Sequence, residues 1–167
     1  MSYVNGLESG THFKKLQLNS VTELDTEFYE KMIEASPRLE SLELSARFSY
    51  DWCSNILKKR RGSNSLKSLS VFIHEKSIDD LIDLVDSSPR LRKLSINGLM
   101  HENRSDETDL VPMMAKLTAK LPVLSEFKMR IRTHLIPDLL PISGHLITEL
   151  LVDGDNESVY VTGNQVN

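Results

Sequence analysis

The sequence predicts an α/β fold in which short parallel strands alternate with helices along a stack of similar units. Three features of the 167 residues support this prediction: a pattern of apolar positions recurs six times, apolar residues between the copies fall at helical spacing, and a proline precedes three of the copies. A recurrence of this kind is the signature of a repeat architecture, because one unit cannot bury its apolar edge alone.

The recurring pattern has the form L-x-x-L-x-L. Its copies begin at residues 13, 39, 66, 91, 124 and 147, so their spacings are 26, 27, 25, 33 and 23 residues. Four of the five spacings fall within the roughly 20–29 residues of a leucine-rich repeat. The longest spacing contains the polar stretch 101–107, which we interpret as an insertion. The pattern predicts a leucine-rich-repeat solenoid of about six units, with a parallel concave sheet and convex helices.

The last two apolar positions of each copy predict a strand, because they are two residues apart. Side chains two residues apart point to the same face of a strand. These pairs are Leu16 and Leu18, Leu42 and Leu44, Leu69 and Val71, Leu94 and Ile96, Phe127 and Met129, and Leu150 and Val152. We therefore expect Leu42, Leu69 and Leu94 to be buried on adjacent strands.

The segments between the copies predict short helices, because their apolar residues share one helical face. These residues are Phe28, Met32 and Ile33; Trp52, Ile56 and Leu57; Ile78, Leu81, Leu84 and Val85; Leu110, Met113, Met114 and Leu117; and Leu135, Ile136, Leu139 and Leu140. Pro37, Pro89 and Pro122 each stand two residues before a copy. A residue without an N–H ends a helix there and favours an extended chain ahead of it.

The pattern predicts one repeat domain over residues 13–157. Residues 1–12 are expected to be a flexible lead-in, and residues 158–167 a capping segment or tail. Within the latter, Ser158–Thr162 alternates polar and apolar residues. That alternation predicts a short strand that covers the exposed edge of the last unit.

Charge and motifs argue against several function classes. The net charge of −4 disfavours a general binder of nucleic acid or anionic membrane. The five histidines show no metal-binding spacing, and the chain has no phosphate-binding loop, dinucleotide fingerprint or nucleophile elbow. Cys53 is the only cysteine, which excludes an internal disulfide and predicts a buried thiol in an intracellular protein, cytoplasmic or nuclear. We expect no catalytic residue, no cofactor and no metal.

The dense basic run at residues 58–61 has two interpretations. It is typical of a nuclear-import signal or an anion-binding patch. Alternatively, its cations complement the dipole at the end of a helix that stops before Gly62. The acidic balance of the whole chain favours the structural interpretation.

The strand residues that alternate with the buried leucines predict the concave face, where solenoids usually bind their partners. We expect partner-binding residues among Gln17, Asn19, Glu43, Ser70, Phe72, Ser95, Asn97, Lys128 and Arg130. Phe72, an aromatic residue near the middle of the array, is the expected anchor. The alternative is that its strand ends early and Phe72 turns inward.

The cations Lys128, Arg130 and Arg132 alternate with apolar residues, so all three are predicted to share the concave face. If all copies align in one register, Arg130 lies beside Asp153 and Arg132 near Asp155. The charges would then be paired across strands. The other interpretation is an acidic or phosphorylated partner segment, because arginine suits carboxylates and phosphates.

The segments Phe13-Lys-Lys-Leu-Gln-Leu and Ser36-Pro-Arg-Leu-Glu-Ser-Leu-Glu-Leu resemble the repeats of F-box leucine-rich-repeat proteins. The resemblance covers residues 13 to 153, and Ser88-Pro-Arg-Leu and Leu121-Pro-Val-Leu extend it. It departs from that family where a strand turn often closes with cysteine or asparagine, because Val21, Arg47, His74 and Leu99 stand there. No F-box segment is found. The resemblance implies the substrate-recognition repeats of a ubiquitin ligase receptor.

The sequence thus predicts a non-catalytic protein–protein interaction module that binds a protein partner on its concave face. The alternative is a structural or assembly subunit of a larger complex, held through its edge or its helices. We expect a monomer or a subunit of a hetero-complex, with no nucleic-acid or membrane partner.

Overall fold

The computed structural model describes residues 13–18, 23–44, 49–74, 78–100, 115–117, 119, 124–132, 149–153 and 158–162. Strands and helices alternate through its first half as β1 (Lys15–Leu18), α1 (Glu23–Glu34), β2 (Ser41–Leu44), α2 (Tyr50–Lys59), β3 (Ser68–His74), α3 (Ile78–Asp86) and β4 (Lys93–Met100). The remaining strands are β5 (Glu126–Arg132), β6 (Glu149–Asp153) and β7 (Ser158–Thr162), and residues 115–117 are helical. The predicted lead-in 1–12 and the predicted helix at 135–140 lie outside the described residues.

The described strands form one sheet in the order β1 to β7, so each strand pairs with the next one along the chain. Strands β1 to β6 pair in parallel, and β7 pairs antiparallel with β6. Parallel neighbours need a crossover between them, and α1, α2 and α3 supply the first three. The predicted α/β class with a parallel sheet is confirmed.

The repeated leucines form the apolar side of the sheet. Leu42, Leu69 and Leu94 are partners in register on adjacent strands, and none is more than 1% exposed. Phe127 continues this row on β5, where it is 1% exposed. The predicted burial and the predicted alignment of these four copies are therefore confirmed.

Helices α1, α2 and α3 all pack on this apolar side, because their buried residues join the strand leucines in one cluster. Ile33, Ile56 and Leu81 are each fully buried there, one from each helix. Helix α2 begins at a serine cap, where the side chain of Ser49 accepts a hydrogen bond from the Trp52 N–H at 3.3 Å. The other side of the sheet carries none of the described helices.

The Ser-Pro pairs make two matching connections from a helix to a strand. The N–H of Ser36 donates to the Ile33 carbonyl at 3.1 Å, and the N–H of Leu39 then donates to the Ser36 carbonyl at 3.1 Å. The same turn follows α3, where the N–H of Ser88 donates to the Val85 carbonyl at 3.2 Å and the N–H of Leu91 donates to the Ser88 carbonyl at 3.0 Å. Since proline has no N–H to continue a helix, the chain leaves the helix at the same point in both units.

One backbone arrangement recurs where the chain enters β2, β3, β4 and β5. The Lys14 carbonyl accepts hydrogen bonds from the N–H groups of both Glu40 and Ser41, at 2.8 and 2.9 Å. The carbonyls of Glu40, Lys67 and Arg92 each accept two N–H groups from the following unit in the same way. The last of these joins units across the 33-residue spacing, so the insertion leaves this junction unchanged.

The predicted alignment of the last two copies is wrong by two residues. Strand β5 pairs with β6 so that Lys128 lies beside Glu149, Arg130 beside Leu151 and Arg132 beside Asp153. The expected register would instead have placed Glu149 beside Glu126, which are like charges. In the observed register the opposed residues form two pairs of opposite charge, and a shift of two residues leaves the period-two alternation of the strands unchanged.

Candidate functional site

The site is the side of the sheet opposite the helices, which we call the open face. Its described side chains alternate along β1 to β5 with the buried ones. They are Lys15 and Gln17 on β1, Ser41 and Glu43 on β2, Ser68, Ser70 and Phe72 on β3, Lys93, Ser95 and Asn97 on β4, and Glu126, Lys128 and Arg130 on β5. Of the predicted partner-binding residues, Asn19 alone lies outside the described residues.

The middle of the open face is lined by short hydroxyl side chains. Ser41 lies beside Ser68, and Ser70 lies beside Ser95, in the register of β2, β3 and β4. All four are half-buried although no described helix covers them, because their neighbours on the sheet shield such short side chains. The surface formed by these four serines therefore lies closer to the sheet backbone than the ends of the longer side chains on β1 and β5.

A hydrogen-bonded network orients the polar side chains of β3 and β4. The Ser95 hydroxyl donates to Asn97 Oδ1 at 2.8 Å, and Asn97 Nδ2 donates to the Ser70 hydroxyl at 2.7 Å. On the neighbouring strands, Gln17 Nε2 donates to Glu43 Oε1 at 3.2 Å. The network holds the Asn97 amide at a fixed position in the middle of the open face.

Phe72 lies on the open face beside this network. Strand β3 continues to His74, and the flanking residues Val71 and Ile73 are both buried, so Phe72 does not turn inward. Val71 pairs with Ile96 whereas Ile73 pairs with Leu99, so β4 carries a bulge opposite Phe72. The ring is half-buried, which leaves part of it in contact with solvent.

The β4–β5 end of the open face is rich in charge. Glu126 lies between two lysines, with Lys93 Nζ at 2.5 Å from one carboxylate oxygen and Lys128 Nζ at 3.1 Å from the other. Hydrogen bonds from Lys93 and Lys128 hold the pKa of Glu126 below its usual range. Arg130 is exposed on the same strand, where both it and Lys128 make further interactions within the protein.

The basic run at residues 58–61 lies on the helix side and is engaged by neighbouring units. Lys59 Nζ lies 2.7 Å from carboxylate oxygens of both Glu30 and Glu34 on α1. Arg61 lies 2.8 Å from both Asp80 and Asp83 on α3. Helix α2 ends at Lys59, so these cations also stand at a helix C-terminus, as the structural interpretation predicts.

Asp80 forms a buried junction between α2 and α3 that sequence reasoning missed. It accepts a hydrogen bond from the Ser54 hydroxyl and pairs with Arg61, and Lys58 Nζ lies 3.5 Å away. Ser54 and Asp80 stand 26 residues apart, which is one repeat spacing. Polar residues one spacing apart are neighbours in a stack of units, so that separation is the signal that would have found this pair.

The described residues include one thiol, that of Cys53, and no cluster of metal-ligating side chains. Cys53 is buried beside the core, and burial raises the pKa of its thiol to about 11. A thiol held neutral in this way is a poor nucleophile at neutral pH. Among the described residues no three His, Cys, Asp or Glu side chains gather as a metal site would need. Nor does any described helix have the length and apolar character to span a membrane.

Comparisons with known proteins bear on the fold alone. No family model matches the chain. A search of curated proteins finds no match. Among solved structures, Leiomodin-1 Actin-Binding Site 2 (ABS2) is similar with a TM-score of 0.51 and 12% sequence identity, and the match covers 74% of this chain and 73% of that one. A likeness at this identity is one of fold.

Proposed function

We propose that the chain is a leucine-rich-repeat solenoid that binds a protein partner through its open face, without catalysis. The recurring strand junction supports the repeat architecture, since the same doubly accepting carbonyl joins four successive pairs of units. Burial supports it too, because strands β1 to β5 place their buried apolar residues in rows shared with their neighbours. Stability then depends on contacts between adjacent units.

The open face is the observation that best supports the binding role. Its polar side chains are held by hydrogen bonds to one another, and Phe72 presents part of an aromatic ring among them. A pre-ordered polar surface around an aromatic anchor is typical of a protein-binding site, because little side-chain entropy remains to be lost on binding.

The specific version that we propose is substrate recognition in an F-box-type ubiquitin ligase receptor, and it depends on the resemblance of the Ser-Pro-x-Leu repeats. The similar solved chain is titled an actin-binding site. That title adds actin as a second protein partner worth testing, although it assigns no residue of the open face.

The rival function is that of an assembly subunit held through the β1 end of the sheet. At this end Phe13, Tyr29 and Met32 pack against the core while each stays partly exposed. Strand β1 has one paired neighbour among the described strands, so its other edge offers backbone groups to a partner.

Affinity purification with mass spectrometry separates these functions. The full chain is compared with Ser68→Arg, which places a long cation in the middle of the open face, and with Asn55→Arg, which adds the same side chain on the exposed surface of α2. We expect Ser68→Arg to lose its main partner and Asn55→Arg to retain it.

Each outcome has a definite meaning. Recovery of ligase-adaptor subunits favours the receptor version, and co-sedimentation with actin filaments favours actin. A partner that both variants retain equally contradicts recognition through the open face, and a partner lost on changing Phe13 or Met32 to a charged residue favours the assembly subunit.

A further inference from the structure

We propose that the open face recognises an extended acidic segment in which an apolar residue is followed, three positions later, by Asp or Glu. This inference rests on the proposed protein-binding function and names the chemistry of the partner. The binding residues are Phe72, Asn97, Lys128 and Arg130, which we call the corner patch.

Strand register places three of these residues, Phe72, Asn97 and Arg130, close together on the open face. Val71 pairs with Ile96 on β4, and Ile96 pairs with Met129 on β5. Phe72, Asn97 and Arg130 each follow one of these three paired residues on three successive strands, at the point where β4 bulges opposite Phe72. Strands stand about 4.8 Å apart, which separates the backbones of Phe72 and Arg130 by about 10 Å.

That separation matches an extended peptide that crosses the strands. In the polyproline II conformation the chain rises about 3.1 Å per residue and completes a turn in about three residues. Side chains three positions apart then point the same way and lie about 9 Å apart. One such side chain would contact the Phe72 ring while the other reaches Arg130.

Charge favours an acidic occupant. Along β1 to β5 the described open face holds four cations, Lys15, Lys93, Lys128 and Arg130, and two carboxylates, Glu43 and Glu126, whereas the whole chain has a net charge of −4. The register of β6 places Glu149 beside Lys128, so Arg130 is the cation that the proposal relies on. In the observed register Arg130 lies beside Leu151 and not beside Asp153. Interactions that exposed cations make within the sheet are readily exchanged for a ligand carboxylate.

Asn97 supplies a backbone contact between the two anchors. Its amide nitrogen donates to Ser70 and its amide oxygen accepts from Ser95, which is one hydrogen bond for each atom. An amide nitrogen has two protons and an amide oxygen has two lone pairs. The second proton of the nitrogen and the second lone pair of the oxygen can therefore form hydrogen bonds with a backbone peptide group of the bound segment.

The test is a selection from a phage-displayed library of random peptides on the immobilised full chain. We expect enriched peptides that share an apolar residue followed by Asp or Glu at the third position. The affinity of an enriched peptide should fall about tenfold or more in Arg130→Glu, and about 30-fold in Phe72→Ala because the ring is lost as an anchor. Arg90→Glu, a matched reversal at an exposed turn off the open face, should bind as the wild type does.

A charge swap distinguishes lost contact from lost folding. The enriched peptide with its acid replaced by Lys should bind Arg130→Glu better than the wild type. Enrichment of basic peptides, enrichment without the spacing, no enrichment over an empty support, or equal binding by Arg130→Glu would each overturn the inference. If Ser68→Arg still loses a cellular partner in that event, the open face binds protein by other chemistry and the proposed function stands.

Discussion

The protein carries cations on both sides of its sheet, and the two groups are held in different ways. On the helix side, Lys59 and Arg61 each pair with two carboxylates from neighbouring helices. On the open face, Lys93 and Lys128 both pair with the carboxylate of Glu126. Each of these two helix-side cations therefore contacts two acids, whereas the described open face along β1 to β5 has four cations and two carboxylates.

Burial sharpens this difference. The Asp80 side chain on the helix side is only 10% exposed, and it links α2 to α3 through both Ser54 and Arg61. The Lys93 side chain on the open face is 59% exposed. Ion pairs gain structural importance as they leave water, because loss of one partner then leaves the other without solvation. The helix-side charges are suited to joining units, and the open-face charges to exchange with a ligand.

The largest expected effect tests the assumption that one side of the sheet is core. Leu69→Ala should lower the free energy of unfolding by about 2–5 kcal/mol, because it removes a fully buried side chain from the middle of the row. Ser68→Ala, one residue away on the open face, is the matched control and should change it by about 0.5 kcal/mol or less. Chemical denaturation measures both, and a Leu69→Ala protein as stable as the wild type would contradict the register.

The second effect concerns the helix side alone. Asp80→Ala should cost about 1–3 kcal/mol, because Ser54 is left buried without its acceptor and Arg61 loses one carboxylate. Asp79→Ala removes an exposed acid from the same first turn of α3, so it controls for the helix dipole. Equal melting temperatures for the two variants would show that the Asp80 junction does not join the units.

The third effect separates the ring of Phe72 from the core. Phe72→Ala should cost only about 1 kcal/mol of stability, because part of the ring remains in water in the folded chain. Its partner affinity should fall much more. A loss of stability as large as that of Leu69→Ala would remove Phe72 from the binding site and return it to the core.

Much of the apolar side was predictable from the sequence, because burial repeats with the period of the units. Leucine recurs at the same position of three copies, as Leu42, Leu69 and Leu94. The period of two in a strand places all three on the apolar side of the sheet. The buried state of Cys53 follows from its place beside the apolar residues of a helix.

The polar contacts were harder to predict, because charge follows no such period. Alignment of the last two copies by their apolar residues alone leaves two registers with the same alternation of faces, and the one observed sets Lys128 beside Glu149. The Asp80 junction joins residues of two units, Ser54 and Asp80, and it is not part of the recurring apolar pattern. Comparison of residues one spacing apart would have identified the Ser54 and Asp80 pair.

The smallest effect tests whether the open-face charges are exchangeable. Because Lys93 and Lys128 lower the folded-state pKa of Glu126, its contribution to stability is present above the unfolded-state pKa of about 4.3 and is lost as the pH falls through the folded-state value. Glu126→Gln at pH 7 should cost only about 0–1 kcal/mol, since the lysines are exposed. The difference from wild type should shrink as the pH falls through the folded-state pKa of Glu126, because the carboxylate then takes up its proton.

Salt provides the control for this last prediction. Added salt at about 1 M should reduce the effect of Glu126→Gln at pH 7, because it screens exposed charges. Glu43→Gln on β2 is the matched substitution, since Glu43 accepts its hydrogen bond from the neutral amide of Gln17, and its effect should change little with salt. If Glu126→Gln instead cost as much as Asp80→Ala and kept that cost in salt, the two sides of the sheet would hold their charges alike. The lysines beside Glu126 would then be structural, and they would not be available to a ligand.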